Sequence, residues 1–349
     1  MAYLYFFIVL LLIFFRKSKQ LRLLTMLLLL ALFCLNTQIA DREATIIDMD
    51  MVYSGFKIVE PLWGAILNFF AANKIDVQYL YVIIGLVYIP TLFYVVGKMS
   101  NNSNIAIACY MIGLFYMDVV QLRFTTAITI VLWGIYFLYY SKAKHGMIYF
   151  VLAVAISMTV HISSIIFALL ALPKILSIKK TLVVTVVGSI VLFLSYTVAI
   201  AYFGDLFDIA DKVQMTGEAE LKSAHSFITT TISDIMVIFM AVIARYNLKS
   251  KNETYKRNLN IALIIALLSF LCVPLINFSP DIRRHVYVFY LLVAAFVYGC
   301  YPHYKGKAIV LFTPIVIAFM YFILSVYTGN KETVFDPLFQ KNLLIEIFD

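Results

Sequence analysis

The sequence predicts an all-α fold, a polytopic integral membrane helix bundle with about 11–12 transmembrane helices. Of its 349 residues, 63% are hydrophobic and only 13% are charged, a composition that soluble domains do not have. The apolar residues form successive runs, most of them about 15–23 residues long, which suits a hydrocarbon core of roughly 30 Å. The short turns between these runs hold most of the positive charge, as cytoplasmic turns of membrane proteins do.

The predicted spans follow one another along the chain. The segment 61–75 begins with Pro61 and is too short to cross, so we expect a re-entrant half-helix, which Glu60 could cap. The segment 162–173 is also short, and we expect it to cross with a tilt or to begin deep in the membrane. In chain order the spans are residues 2–15, 20–36, 79–97, 104–120, 124–141, 146–160, 162–173, 181–203, 227–245, 258–277, 286–301 and 308–327.

The distribution of Lys and Arg predicts that both chain termini lie outside the cell membrane. With this orientation the inner turns hold 17 of the 27 Lys and Arg residues, and Glu253 is their only acid. The net charge of +8 therefore reflects short turns and does not indicate binding to nucleic acid. These turns are residues 16–22, 98–103, 142–145, 174–180, 245–257 and 304–307.

Residues 1–349 are predicted to form a single transmembrane domain with three outer segments. The first is loop 37–60, which leads into the half-helix 61–75. The second is loop 204–226, and the third is the tail 328–349. Acidic residues gather in the first two loops, and those of loop 37–60 (Asp41, Glu43, Asp48 and Asp50) are interpreted mostly as a solvated acidic surface.

Several outer basic residues stand at helix starts, where the helix dipole disfavours cations by about 0.3–1 kcal/mol. Arg123 opens one predicted helix, and Arg283, Arg284 and His285 open another just after Asp281. An anion outside the membrane would outweigh the dipole, and guanidinium groups bind phosphate in a bidentate manner. The simpler alternatives are an ion pair of Arg123 with Asp118, an ion pair with Asp281, or contact with lipid headgroups.

His161 ends the second of the two spans that follow Arg123, 124–141 and 146–160, and so lies on the same predicted side of the membrane. An imidazole changes its charge near neutral pH, so His161 is a candidate general base or a hydrogen-bond donor to phosphate. The alternative is an interfacial histidine with a structural hydrogen bond. Asp281, or an acid of loop 37–60, is the second candidate for the base.

Motifs for other chemistries are absent from the sequence. It contains no phosphate-binding Walker loop, no dinucleotide glycine motif, no HExxH and no GxSxG. Asp48 and Asp50 have the Asp-x-Asp spacing of a pair of metal ligands, but no further candidate ligand accompanies them, so we predict no metal and no cofactor. The four cysteines have no metal-like spacing and are interpreted as packing residues.

The order of these motifs resembles the EpsG-like branch of the Wzy polysaccharide polymerases. The resemblance rests on Tyr53 and Glu60-Pro61 in the outer loop, and on Gln121-Leu-Arg123 at a helix start. It also rests on Ala155 to His161-Ile-Ser163 at a helix end, 38 residues after Arg123, and on Asp281-Ile-Arg283-Arg284. Members of this family act in the assembly of O-antigen, capsule and exopolysaccharide.

The resemblance implies a metal-independent, inverting glycosyltransferase with a GT-C-like fold in the bacterial cytoplasmic (inner) membrane. It would join undecaprenyl-pyrophosphate-linked oligosaccharides on the periplasmic side, beside membrane lipids and with flippase and chain-length regulator proteins as further partners. Arg123, Arg283, Arg284 and His285 would bind pyrophosphate, and His161 or Asp281 would act as the base. Sugars would be bound by Tyr53, Glu60, Trp63 and Gln121.

Three other classes fit parts of the sequence. A flippase or transporter of lipid-linked oligosaccharides would carry charges near the bilayer midplane or an internal repeat. A membrane acyltransferase acting on surface glycans would carry an Arg and a His in or near its first helices. Here the first two spans contain no His, and Arg16 and Arg22 lie in the inner turn between them. A purely structural membrane protein would not need the outer arginines.

Overall fold

The structure is a computed structural model. It describes residues 1–38, 40–100, 102–203, 217–276, 282–324, 331–340 and 342–343, with all side chains except those of residues 40, 196–203 and 217–226. The described residues are mostly helical and form no β-sheet, which confirms the predicted all-α membrane bundle. The chain divides into two compact units, Met1–Ala171 with Ala318–Asp349, and Leu172–Ile317. A single transmembrane domain stays a prediction.

The first unit begins with nine α-helices. They are α1 (Ala2–Phe14), α2 (Lys19–Cys34), α3 (Ala40–Tyr53), α4 (Pro61–Ala72), α5 (Val77–Met99), α6 (Ser103–Gly113), α7 (Phe115–Val120), α8 (Leu122–Tyr139) and α9 (Gly146–Val160). A 3₁₀ helix, Ile162–Lys174, follows α9. Near the C-terminus, a π-helix (Lys331–Phe335) leads into a short α-helix, Asp336–Gln340.

The second unit contains α10 (Ile178–Phe203), α11 (Gly217–Asn247), α12 (Glu253–Ser269), α13 (Cys272–Leu275), α14 (Arg283–Gly299), a 3₁₀ turn (Tyr301–His303) and most of α15 (Lys307–Phe322). The short helix Asp336–Gln340, which belongs to the first unit, is labelled α16. Within the second unit, α12 packs against α10, α11 and α14. The α12 residues from Ile261 to Ser269 are buried almost without interruption, as expected for a helix enclosed on several sides.

Five segments among the described residues are long and apolar enough to span a membrane. They are Val77–Met99, Leu122–Tyr139, Ile178–Ser195, Phe227–Asn247 and Glu253–Leu275. Six shorter apolar helices of 10–17 residues accompany them, including α4 and the 3₁₀ helix after α9. The protein is therefore a multi-pass membrane protein, and the total of 11–12 crossings stays a prediction.

The segment 37–60, predicted as an outer loop, contains a helix that the sequence analysis did not predict. Helix α3 has Asp41 and Glu43 in its first turn, where negative side chains interact favourably with the helix dipole and stabilise the helix. Arg42 then ties α3 to the start of α5, because its guanidinium lies 3.2 Å from Asp76 and donates to Gln78 at 2.6 Å. These polar contacts fix the position of α3 relative to α5 within the first unit.

The predicted span 162–173 is a 3₁₀ helix, which changes its expected reach. An α-helix of this length would cover about 20 Å, whereas a 3₁₀ helix rises about 2.0 Å per residue and covers about 26 Å over its 13 residues. Helix α9 matches its predicted bounds, 146–160. It packs closely on α8, since a Cβ atom built on Gly134 would lie 2.8 Å from the Cβ of Ala153.

Candidate functional site

Glu60 lies directly before α4, and the local sequence explains its position. Pro61 is the first residue of α4, where proline is favoured because its fixed φ suits a helix start and its missing N–H needs no partner. Glu60 is therefore the N-cap residue. The expected capping by its side chain is wrong, because the carboxylate makes no capping hydrogen bond. It turns instead toward the start of α8 and the end of α9.

Arg123, in the first turn of α8, forms an ion pair with this carboxylate. Its Nη1 atom lies 3.4 Å from Oε2 of Glu60. The Arg123 side chain is 40% exposed and that of Glu60 is 8% exposed, so the pair extends from the protein interior to its surface. The alternative partner, Asp118, accepts a hydrogen bond from the Tyr88 hydroxyl instead. An external anion is therefore not required to balance Arg123.

His161 approaches the same carboxylate from α9. The helix ends at Val160, and His161 adopts an extended conformation with φ −152° and ψ 109°. Its Nδ1 atom lies 3.7 Å from Oε1 of Glu60, which is an ion-pair separation rather than a hydrogen bond. The backbone N–H of Ile162 donates a long hydrogen bond of 3.5 Å to the same oxygen. Arg123 and His161 thus meet at one carboxylate.

Helix α3 adds a second acid to this group, because Asp48 interacts electrostatically with Arg123 and Glu60. We call Asp48, Glu60, Arg123 and His161 the Glu60 cluster. Burial raises the pKa of Asp48, and Glu60 adds to this while Arg123 opposes it. Burial also acts to raise the pKa of Glu60, but His161, Arg123 and the Ile162 N–H together lower it below the usual glutamate range. Glu60 is therefore an anion at neutral pH.

The possible metal grip at Asp48 and Asp50 is not supported by the shape of α3. Residues two apart on a helix do not face each other, and here Asp48 is half-buried while Asp50 is exposed. Among the residues described, no group of three or more His, Cys, Asp and Glu side chains is arranged to hold a metal ion. Metal independence stays a prediction.

The three other residues predicted to bind sugars lie near the Glu60 cluster in sequence but differ in exposure. Tyr53 ends α3 and is 63% exposed. Trp63 is 2% exposed, in the first turn of α4. Gln121 is buried between α7 and α8, two residues before Arg123. Their sugar-binding roles stay predictions.

An apolar groove of about 490 Å³ lies between α4, α5 and α8. Trp63 and Ile66 line it from α4, Ile83 from α5, and Thr126 and Ile130 from α8. Trp63 lies three residues after Glu60 in the chain, and Thr126 lies one helical turn after Arg123 on the same face of α8. The groove therefore begins close to the Glu60 cluster and continues along apolar side chains.

The second unit contains the remaining basic residues of the predicted site. Arg283 and Arg284 are half-buried at the start of α14. His285 is buried, and its Nδ1 atom lies 3.2 Å from the carbonyl oxygen of Ile282. Asp281 lies outside the described residues. The convergence of these residues with Arg123 and His161 stays a prediction.

The sequence analysis missed the central position of Glu60 and the contribution of Asp48. Glu60 lies 63 residues before Arg123 and 102 residues before Ile162, so no local pattern joins them. One available signal was a carboxylate placed directly before a proline and an apolar helix. Such a carboxylate is costly to bury without a cationic partner.

The fold and this site define a polytopic helical membrane protein in which Glu60, Arg123 and His161 meet at helix ends, with Asp48 of α3 nearby. The chain matches the EpsG family over residues 21–337 and belongs to that family. This confirms the resemblance found in the sequence, and it indicates a general role of the polysaccharide-polymerase type. Comparisons with curated proteins and with solved structures found no match.

Proposed function

We propose that this protein is a glycosyltransferase of the Wzy type that polymerises polysaccharide repeat units. It would transfer a growing chain from its undecaprenyl pyrophosphate carrier to a new lipid-linked unit at the outer face of the bacterial inner membrane. The product would be O-antigen, capsule or exopolysaccharide. The observation that carries the proposal is the meeting of Arg123 and His161 at Glu60, in a chain that belongs to the EpsG family.

The proposed reaction is an inverting displacement. A hydroxyl oxygen of the acceptor sugar forms a bond to the anomeric carbon of the donor, and the bond from that carbon to the pyrophosphate oxygen breaks. The leaving lipid pyrophosphate keeps the electron pair, and the hydroxyl proton passes to the base. The bond energy of the donor drives the transfer, so the proposal needs neither metal nor cofactor.

His161 is the proposed base, and Glu60 is its positioning residue. Because Nδ1 faces the Glu60 carboxylate, Nε2 is the ring nitrogen left to accept the proton. An anionic neighbour also stabilises the imidazolium that forms during the transfer. This arrangement follows the general logic by which a carboxylate orients a catalytic histidine.

Arg123 is proposed to stabilise the negative charge that develops on the departing pyrophosphate. Its side chain is partly exposed, so its unused N–H groups are available to a ligand. The single guanidinium already faces Glu60 and Asp48, so it does not make the Glu60 cluster cationic. Additional positive charge is needed for a pyrophosphate, and Arg283, Arg284 and His285 are the proposed source, with Asp281 as the second candidate base.

The apolar groove supports a lipid-linked rather than a free sugar substrate. An amphiphile whose polar head lies at the Glu60 cluster would place its hydrocarbon chain along α4, α5 and α8. The lining side chains there are almost entirely apolar, which suits a hydrocarbon chain and not a sugar. Tyr53 and Gln121 are proposed to contact the sugars beside the head, and Trp63 is proposed to contact the sugar nearest the lipid, where the groove approaches the Glu60 cluster.

One observation favours the alternative of a transporter for lipid-linked oligosaccharides. Asp234 is fully buried within the apolar segment Phe227–Asn247, where its Oδ1 atom accepts a hydrogen bond of 2.7 Å from Ser269. Acids inside membrane segments often mark transport pathways. In reconstituted vesicles, Asp234→Asn would abolish lipid-linked substrate crossing if this alternative were correct, whereas polymerisation without crossing would reject it.

The proposed function can be tested in a strain that lacks the gene for this protein. Complementation with the wild-type gene should restore a ladder of long polysaccharide chains, and His161→Ala should leave mainly single repeat units. His145→Ala is the matched control, because His145 is exposed at the opposite end of α9. Equal expression of each variant in the membrane must be shown by immunoblot. A full ladder with His161→Ala would overturn the assignment of the base.

A further inference from the structure

A second site is suggested by a polar groove in the second unit, beside the turn that connects α11 and α12. The groove has a volume of about 370 Å³ and is lined by Arg245, Ser250, Glu253, Lys256, Arg257 and Asn260 among others. We call it the basic groove. It belongs to the inner turn 245–257 of the sequence prediction, which places it on the cytoplasmic side. No part of the Glu60 cluster contributes to it.

The turn beside the groove is held by several defined contacts. The backbone N–H of Lys249 donates to the His303 carbonyl at 2.9 Å, and that of Lys305 donates to the Asn247 carbonyl at 2.8 Å. Asn252 caps α12 by accepting from the N–H of Thr254 at 2.8 Å. The basic side chains therefore extend from a backbone with a fixed shape, which reduces the entropy lost when a ligand binds.

The charges around the groove are poorly balanced. Glu253 is the one acid that lines it, and Lys256 already pairs with this acid at 2.7 Å. Among the described residues, Arg245 and Arg257 form no ion pair, although both line the groove. Burial lowers the pKa of Lys174 below the usual lysine value, and the nearby charge of Arg257 lowers it further, which shows that another cation is close. An anion in the groove would relieve this repulsion.

We propose that the basic groove binds the phosphate of an anionic phospholipid headgroup from the cytoplasmic leaflet. Arg245 lies in the last turn of α11 and Arg257 lies near the start of α12, so one phosphate held by both guanidinium groups would link the two helices. The position beside membrane helices favours a lipid over a soluble ligand, because the leaflet supplies anionic phosphates at this depth. This site is independent of the proposed polymerase activity.

The test is the thermal stability of the purified full-length protein in detergent, with lipid added. Short-chain phosphatidylglycerol should raise the melting temperature, and short-chain phosphatidylcholine and inorganic phosphate should not. Arg245→Gln/Arg257→Gln should weaken the apparent affinity for phosphatidylglycerol by about tenfold or more, since two charge-assisted contacts are lost. Lys142→Gln/Lys144→Gln is the matched control, because it removes two charges from another inner turn of the chain.

Each outcome decides part of the proposal. An equal shift with inorganic phosphate would overturn a lipid as the ligand. No loss of affinity in Arg245→Gln/Arg257→Gln, or an equal loss in the control, would overturn the basic groove as the site. If the glutamine variant does not fold, Arg245→Lys/Arg257→Lys replaces it, because it keeps both charges but removes bidentate binding. Wild-type affinity in that lysine variant would also contradict the proposed geometry.

Discussion

Replacing Glu60 by glutamine tests whether its negative charge positions Arg123 and His161, because the side-chain volume is almost unchanged. The substitution removes the charge that lies 3.4 Å from Arg123 and 3.7 Å from His161. Two unit charges about 4 Å apart attract each other by about 4 kcal/mol at an effective dielectric constant near 20. Arg123 is 40% exposed, so solvent screens its part of the interaction. We therefore expect a net loss of about 1–3 kcal/mol, typical of hydrogen bonds to charged groups.

If this energy positions His161 and Arg123 in the transition state, the polymerisation rate should fall by about 10- to 100-fold. The assay is chain formation by the purified protein in detergent, with lipid-pyrophosphate-linked repeat units as substrate. Glu43→Gln is the control, because it removes an exposed acid from α3. A rate for Glu60→Gln equal to that of Glu43→Gln would refute the positioning role. A folded variant is confirmed by its gel-filtration profile.

Three other predictions follow from the same geometry. Arg123→Lys keeps the charge but not the planar donor geometry. In the ladder assay its yield of long chains should therefore be about tenfold below that of the wild type and above that of Arg123→Ala. Ile83→Trp should fill part of the apolar groove and lower polymer yield by about tenfold, while Val151→Trp, at a similarly exposed apolar position outside the groove, should not. The lowered pKa of Glu60 stabilises the fold fully above the usual glutamate value of 4.5. The difference in melting temperature between wild type and Glu60→Gln should therefore shrink as the pH falls below this value, and a constant difference would contradict the ion pairs.

The all-α membrane class could be predicted from the sequence because the signals of membrane helices are local. Apolar runs and basic turns are properties of neighbouring residues, and α9 has the bounds that its apolar run predicts. Breaks inside an apolar run were harder to predict. The span 104–120 divides at Leu114 into α6 and α7, although neither proline nor a charged residue marks the division.

The site was only partly predictable because its contacts are distant in sequence. Arg123 and His161 could be recognised as chemically unusual for their positions, and the structure brings both to one carboxylate. The sequence singled out Glu60 as the residue before Pro61, but it could not show that Arg123 and His161 meet there, because those partners are 63 or more residues away. Packing of α3 and α4 selects Glu60 and Asp48 from the acids of segment 37–60, and packing depends on the whole first unit.

The most direct measurement follows the two products of the proposed transfer with purified components. Wild-type protein, incubated with lipid-pyrophosphate-linked repeat units in the presence of EDTA, should release one lipid pyrophosphate for each linkage formed. His161→Gln lacks the base and, once its gel-filtration profile matches that of the wild type, should form neither product at a comparable rate. Failure of the wild type to couple polymer growth to lipid pyrophosphate release, or a full rate with His161→Gln, would contradict the proposed mechanism.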